Sequence, residues 1–382
     1  MWNAEHQVSR GEGLQIGVGV PLSGRGSELG REMANAVLLA IEEANAGGGI
    51  DSRRLEAVVL DDQGDENVGA RVVSEFLQSS AAMAAIGHYN SNVTLRVAPL
   101  YCAASLPVIG PIVSNPALTE SGWSTMFRFT NRDDATASAI VDYLVRNLGT
   151  RRVVLVETDT VYGKSMTREF ANAFERAGGS ILQRLTVREG EEEFRPLVAS
   201  CHRGADCIFY GGTFEGAPLL KALRSQGDGR LLATGDGCWD VPNFLQPAGA
   251  AAEQGEGVLV LSACPQLGYV RGSNEFAQRY EKRFGPVKNY AVNAFDAAMT
   301  LIEAIRAAAR QGFPTRTRIT EALRNTRRQG IAYPAPVRWD EKGDNLAAVT
   351  ALHKVENGCF RQIDMAARDA QGPVRGTVCA SA

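Results

Sequence analysis

The chain has 382 residues, a formal net charge of −3 and 22% charged residues. That length fits two or three domains, each large enough to bury a core, and the charge balance points to no nucleic acid and to no anionic membrane surface. No apolar run reaches the roughly 18 residues a membrane span needs, so no direct membrane insertion is expected.

The opening MWNAEHQVSRGEG is polar and lacks the apolar core of a secretory signal. It fits a cytoplasmic protein, or a mature form without its leader. A β-branched run then predicts a strand over Leu14–Val20. A glycine-bearing loop, Pro21–Gly30, and a long helix follow, and the helix stops at Gly47–Gly49, which suit a left-handed cap. Loops at the carboxyl ends of parallel strands face the ligand crevice of open α/β sheets, so this loop is a candidate contact for a small molecule. Its spacing matches neither the dinucleotide fingerprint nor the phosphate loop, and no cofactor is expected.

Further strands are predicted at Leu55–Leu60, Met83–Ile86, Pro107–Ile109, Val153–Val156, Ile181–Leu185, Cys207–Tyr210, Leu231–Thr234 and Val258–Leu261. Helical patterns lie between them at Asn67–Leu77, Ala135–Leu148, Ser165–Ala177 and Ala291–Arg310. Alternation of this kind predicts parallel sheets with helices on both faces. DDQGDEN at Asp61 lacks the spacing of a calcium loop and reads as a polar crevice loop with helix-capping acids. The stripe Tyr290, Phe295, Met299, Leu301 and Ile302 reads as the buried face of a helix. A second strand, polar loop, helix and glycine cluster begins at Arg151, a restart that points to two similar lobes. Seven cysteines form no CxxC pair and only four histidines are present, so no metal site is expected.

PLSG at Pro21, EEANAGGGI at Glu42, LDDQGDENVGA at Leu60, IGHYNSNVT at Ile86, IGPIVSNPALT at Ile109, VYGKS at Val161, FYGGTFEGAPLL at Phe209 and WDEKGD at Trp339 occur in this order. Together they resemble the type I periplasmic solute-binding proteins of branched-chain amino acid ABC transporters, from about Leu14 to about Ile363. The resemblance implies an α/β fold of two Rossmann-like lobes with parallel sheets, joined by a three-crossing hinge and closing over a ligand. It places lobe 1 at 14–132 and 266–338, lobe 2 at 133–265 and 339–364, and a tail at 365–382. It implies a periplasmic receptor, not an enzyme, whose partners are a small-molecule ligand (an amino acid or analogue) and an ABC transporter permease. A ligand-sensing regulatory module of the same fold is the alternative.

A free amino acid needs donors for its carboxylate and an acceptor for its ammonium. Ser91 and Ser114 follow strands, where each reads either as a helix N-cap or, by the resemblance, as a carboxylate-binding hydroxyl. Asp236, between two glycines, reads either as an Asx-turn former or as the family's ammonium partner, in a place where relatives often carry Glu. Tyr162 matches an aromatic ligand position of the family. Tyr89, Asn90, Leu29, Ile112 and Thr213 fall at or beside pocket positions, several departing from the branched-chain pattern. For an exported protein, Cys359 and Cys379 are expected to form a bridge pinning the tail.

Overall fold

The computed structural model describes residues 13–288 and 290–367. The polar opening before residue 13 and the tail after residue 367, with Cys379, lie outside them. The chain forms two compact units and passes between them three times. One unit holds the chain up to Thr130 together with Val270–Ala348, and the other holds Asn131–Tyr269 together with the chain from Val349.

The first unit begins with β1 (Leu14–Val20), α1 (Ser27–Ala46), β2 (Leu55–Asp61), α2 (Glu66–Gln78), β3 (Ala82–Gly87), α3 (Ser91–Ala103), β4 (Val108–Gly110), α4 (Ala117–Glu120) and β5 (Met126–Arg128). Its sheet has the order β2-β1-β3-β4-β5, every pair parallel. Every residue of β1 and β3 is buried, as expected for apolar strands covered on both faces. A β-carbon at Gly19 would lie 2.5 Å from the His88 ring, so this glycine in mid-strand makes room for a buried histidine.

The second unit runs α5 (Asp133–Asn147), β6 (Arg152–Thr158), α6 (Val161–Arg176), β7 (Ser180–Val187), α7 (Arg195–Ser200), β8 (Cys207–Gly211), α8 (Gly216–Ser225), β9 (Leu231–Thr234), α9 (Gln246–Ala248) and β10 (Val258–Ser262). The chain then returns to the first unit with α10 (Ser273–Phe284), α11 (Ala291–Ala309) and α12 (Arg316–Arg324), and ends in the second with β11 (Val349–Glu356) and β12 (Cys359–Ala367). The second sheet reads β12-β11-β10-β9-β8-β6-β7. Its parallel part, 7-6-8-9-10, repeats the 2-1-3-4-5 order of the first. The core of this unit stacks Phe170 on Phe209, ring centroids 3.8 Å apart, with Phe174 against Phe170.

Three differences from the sequence reading have physical causes. The second sheet is not wholly parallel, because β11 and β12 form an antiparallel hairpin added to β10. Asn357 and Gly358, both at positive φ, make its turn. Residues 339–348 belong with the first unit rather than the second. Asp340 caps their turn by accepting from the Lys342 and Asp344 amides, and the segment then pairs with β5 through Arg128 N donating to Gly343 O and Asn345 N to Arg128 O. Finally, β12 continues to Ala367, beyond the expected start of the tail at 365.

In the helix stripe, Tyr290, Phe295, Leu301 and Ile302 are buried while Met299 is half-buried. Asp65 caps α2, its carboxylate accepting from the Asn67 and Val68 amides.

Candidate functional site

In an open parallel sheet the crevice opens where the strand order reverses, outside the carboxyl ends of the two diverging strands. In the first unit that point lies between β1 and β3, and in the second between β6 and β8. The residues singled out from the sequence collect at these two places or on the loop after the next strand.

At the first point, Tyr89, Asn90 and Ser91 follow β3 directly. Asn90 is the N-cap position of α3 but its side chain makes no cap bond, and Ser91 is the first helical residue, 5% exposed. Ser91 is therefore not a cap. As the first helical residue it sits in the turn whose amides a helix leaves without internal acceptors. The Asn90 Oδ1 is buried without a hydrogen-bond partner. After β4, Ser114 is also not a cap, because Asn115 Oδ1 accepts from the Ala117 amide and does that work. Ser114 and Ile112 are buried on this loop, and Leu29 is buried in the first turns of α1.

Two buried networks that sequence reasoning missed hold these loops. His88 Nδ1 lies 2.6 Å from Asp62 Oδ2 and its Nε2 lies 3.0 Å from Tyr101 Oη. Asp62 also accepts from the Gly64 amide, and Asp61 accepts from the Leu22 amide and the Ser23 hydroxyl. The loops after β1, β2 and β3 are thereby tied together. The second network centres on Arg128, which is fully buried and paired with Asp344 at 2.7 Å. Its Nη1 donates to the carbonyls of Val113 and Asn115, on either side of Ser114, and its Nη2 donates to Thr119 Oγ1. WDEKGD thus supplies the carboxylate that steadies the Ser114 loop. The available signal was a lone arginine in an apolar strand, MFRF.

At the second point, Thr160 caps α6 by accepting from the Gly163 amide, which puts Tyr162 in the first turn. The Tyr162 hydroxyl donates to Asp236 Oδ1 at 2.7 Å and accepts from the Gly237 amide at 2.9 Å. Asp236 opens a short 3-10 turn, Asp236–Cys238, after β9. A β-carbon at Gly237 would lie 2.5 Å from Gly212 O, 2.8 Å from the Tyr162 ring and 2.9 Å from Thr213 Cγ2. The GDG sequence is therefore a requirement of close approach, and it brings Tyr162, Thr213 and Asp236 together.

Burial pushes the Asp236 carboxyl above its ordinary value, and the Tyr162 hydrogen bond offsets part of that rise. Tyr162 is itself held well above its ordinary value by burial and by the charges of Asp236 and Asp133. Asp133, fully buried in the first turn of α5, is a further carboxylate at this end that sequence reasoning did not single out. One unit thus offers hydroxyls and helix-end amides suited to an anion, and the other a buried carboxylate suited to a cation.

The sequence profile of the periplasmic binding protein family matches residues 13–358, so the chain belongs to that family of solute-binding proteins. It is 26% identical over 332 residues to an amino acid binding protein of Pseudomonas aeruginosa, covering 86% of each chain. It is 25% identical over 346 residues to Leu/Ile/Val-binding protein homolog 1 of Brucella abortus, covering 90% of each. The structure of an ABC transporter substrate-binding protein from Desulfitobacterium hafniense, in complex with Leu, superposes with a TM-score of 0.78 at 26% identity, covering 92% of this chain and 100% of that one. The resemblance read from the motifs is thus borne out at the level of family and fold. Among the described residues no helix is long and apolar enough to cross a membrane.

Proposed function

We propose that this chain is a periplasmic receptor that captures a small α-amino acid, or a close analogue, and delivers it to an ABC transporter permease by binding rather than turnover. The observation that carries the reading is the buried Asp236 carboxylate, oriented by Tyr162 on the loop after β9. A buried carboxylate at a crevice loop forms a strong charge-assisted hydrogen bond with a cation, and an α-ammonium supplies one. On this reading Ser91, Ser114 and the first-turn amides of α3 receive the ligand's carboxylate. Tyr89, Asn90, Ile112, Thr213 and Leu29 shape the space for its side chain. The names of the relatives and the Leu complex support an amino acid as the ligand class.

A thermal-shift screen over L-amino acids, short amides, aromatic acids and urea tests the proposal. A ligand at 100 times its Kd stabilises by about 2.7 kcal/mol, which for a chain of this size raises Tm by roughly 3 °C. Shifts confined to amino acids support the reading. Shifts confined to amides or aromatic acids reject it.

A further inference from the structure

A groove of about 630 Å³ runs between α11 and α12 in the first unit, lined by Arg306, Arg310, Arg318, Arg327, Arg328, Glu303 and Glu321 among others. Arg328 is neutralised by Asp296 and Glu303. Among the described residues, none of the other four arginines is paired with a carboxylate, and the five arginines of the groove outnumber the acids beside them, Asp296, Glu303 and Glu321, by two.

Helix dipoles account for only part of this charge. Arg306 and Arg310 sit at the carboxyl end of α11, where cations are favoured, but they are also i,i+4 neighbours that repel each other. Arg318 lies in the first turn of α12, the end where the dipole disfavours a cation. Arg327 is exposed beyond α12.

The groove is also far from the crevice end of its own sheet. At the start of α12, Arg316 donates to Ala82 O and Ala104 O, the first residue of β3 and the residue after α3. These mark the amino end of the sheet, whereas Tyr89, Ser91 and Ser114 stand at the carboxyl end. An occupant of the groove leaves the crevice loops open.

We propose that this groove docks an acidic segment of a partner protein, a short glutamate- or aspartate-rich peptide. Guanidinium forks pair with carboxylates in two-point fashion. Four of them along a groove within the usual size range of binding pockets suit several carboxylates in a row rather than one small anion.

The test uses the full chain and a fluorescein-labelled hexaglutamate peptide, followed by fluorescence anisotropy at low salt. Saturable binding is expected, weakening as salt rises. It should fall at least tenfold in an Arg310→Glu/Arg327→Glu variant, both positions being exposed, while circular dichroism of the variant is unchanged. Hexalysine should not bind. Absence of saturable hexaglutamate binding, or binding that the double variant leaves intact, overturns the proposal. So does arginine-dependent binding to phosphatidylglycerol vesicles without binding of the peptide, which would make the groove a lipid-headgroup site.

Discussion

Asp236 is buried, and burial of its carboxyl has consequences of opposite sign for binding and for stability. Its folded-state value lies above the ordinary 3.8, so ionised Asp236 costs the free protein stability as pH rises from 3.8 through that raised value, and the cost is relieved below it. An ammonium ligand needs the ionised form, so affinity for an amino acid should fall as pH drops through the same raised value. Calorimetric titration between neutral and acid pH would check the direction. Asp236→Asn retains an acceptor for the Tyr162 hydroxyl but loses the charge. It should weaken amino acid binding by about thirtyfold to several thousandfold, about 2 to 5 kcal/mol, while leaving the Tm of the free protein equal or higher. A variant with parental affinity would show that Asp236 does not meet the ligand. At this scale the sequence displayed the candidate residues but not their supports. Ser91 and Ser114 were legible only as a choice between cap and ligand group, and the choice turned on neighbours, Asn90 holding the cap position and Asn115 making the capping bond. Arg128, Asp62 and His88 act through partners distant in sequence, which no local pattern displays.

The β5 strand, the Ser114 loop and the turn at residues 340–344 form one element held by the Arg128–Asp344 pair. Removing one partner leaves a buried charge alone, so Arg128→Met should destabilise the chain by about 3 to 5 kcal/mol in urea unfolding. The double variant Arg128→Met/Asp344→Leu should recover part of the loss, and no recovery would argue against a dedicated ion pair. The β11–β12 hairpin carries a second test. His353 is fully buried against the Trp239 ring at 4.0 Å, and burial lowers its pKa from 6.5 to about 3. The unfolded chain takes up a proton below pH 6.5 that the folded chain refuses. Stability is therefore complete above 6.5 and falls as pH drops toward 3, by at most about 1.4 kcal/mol per pH unit from this group. Tryptophan fluorescence should report a shallower acid dependence of unfolding in His353→Leu than in the parent; equal slopes would refute the assignment. The hairpin itself was missed in the sequence because its signal is one Asn-Gly turn, while β11 interrupts its apolar residues with Thr350, His353, Lys354 and Glu356, so no clear apolar run marks it as a strand.

At the scale of the whole molecule, strand and helix alternation displayed an α/β chain and the restart at Arg151 displayed the second half. The strand orders 2-1-3-4-5 and 7-6-8-9-10 give that repeat its physical form. The unit boundary at 348 was not legible, because it depends on which strand residues 339–348 join, and β5 wins them through Arg128. Two switch points, each with its own chemistry, lead to the central claim that this protein recognises both charged ends of an amino acid. The most direct measurement is a titration cycle. The amino acid found by screening and the same acid without its amino group are each titrated into the parent and into Asp236→Ala. Deamination should cost the parent about 2 to 5 kcal/mol of binding free energy and cost the variant much less, because the ammonium and Asp236 are partners. A deaminated acid that binds the parent as tightly as the amino acid does, or an equal loss in parent and variant, would contradict the claim.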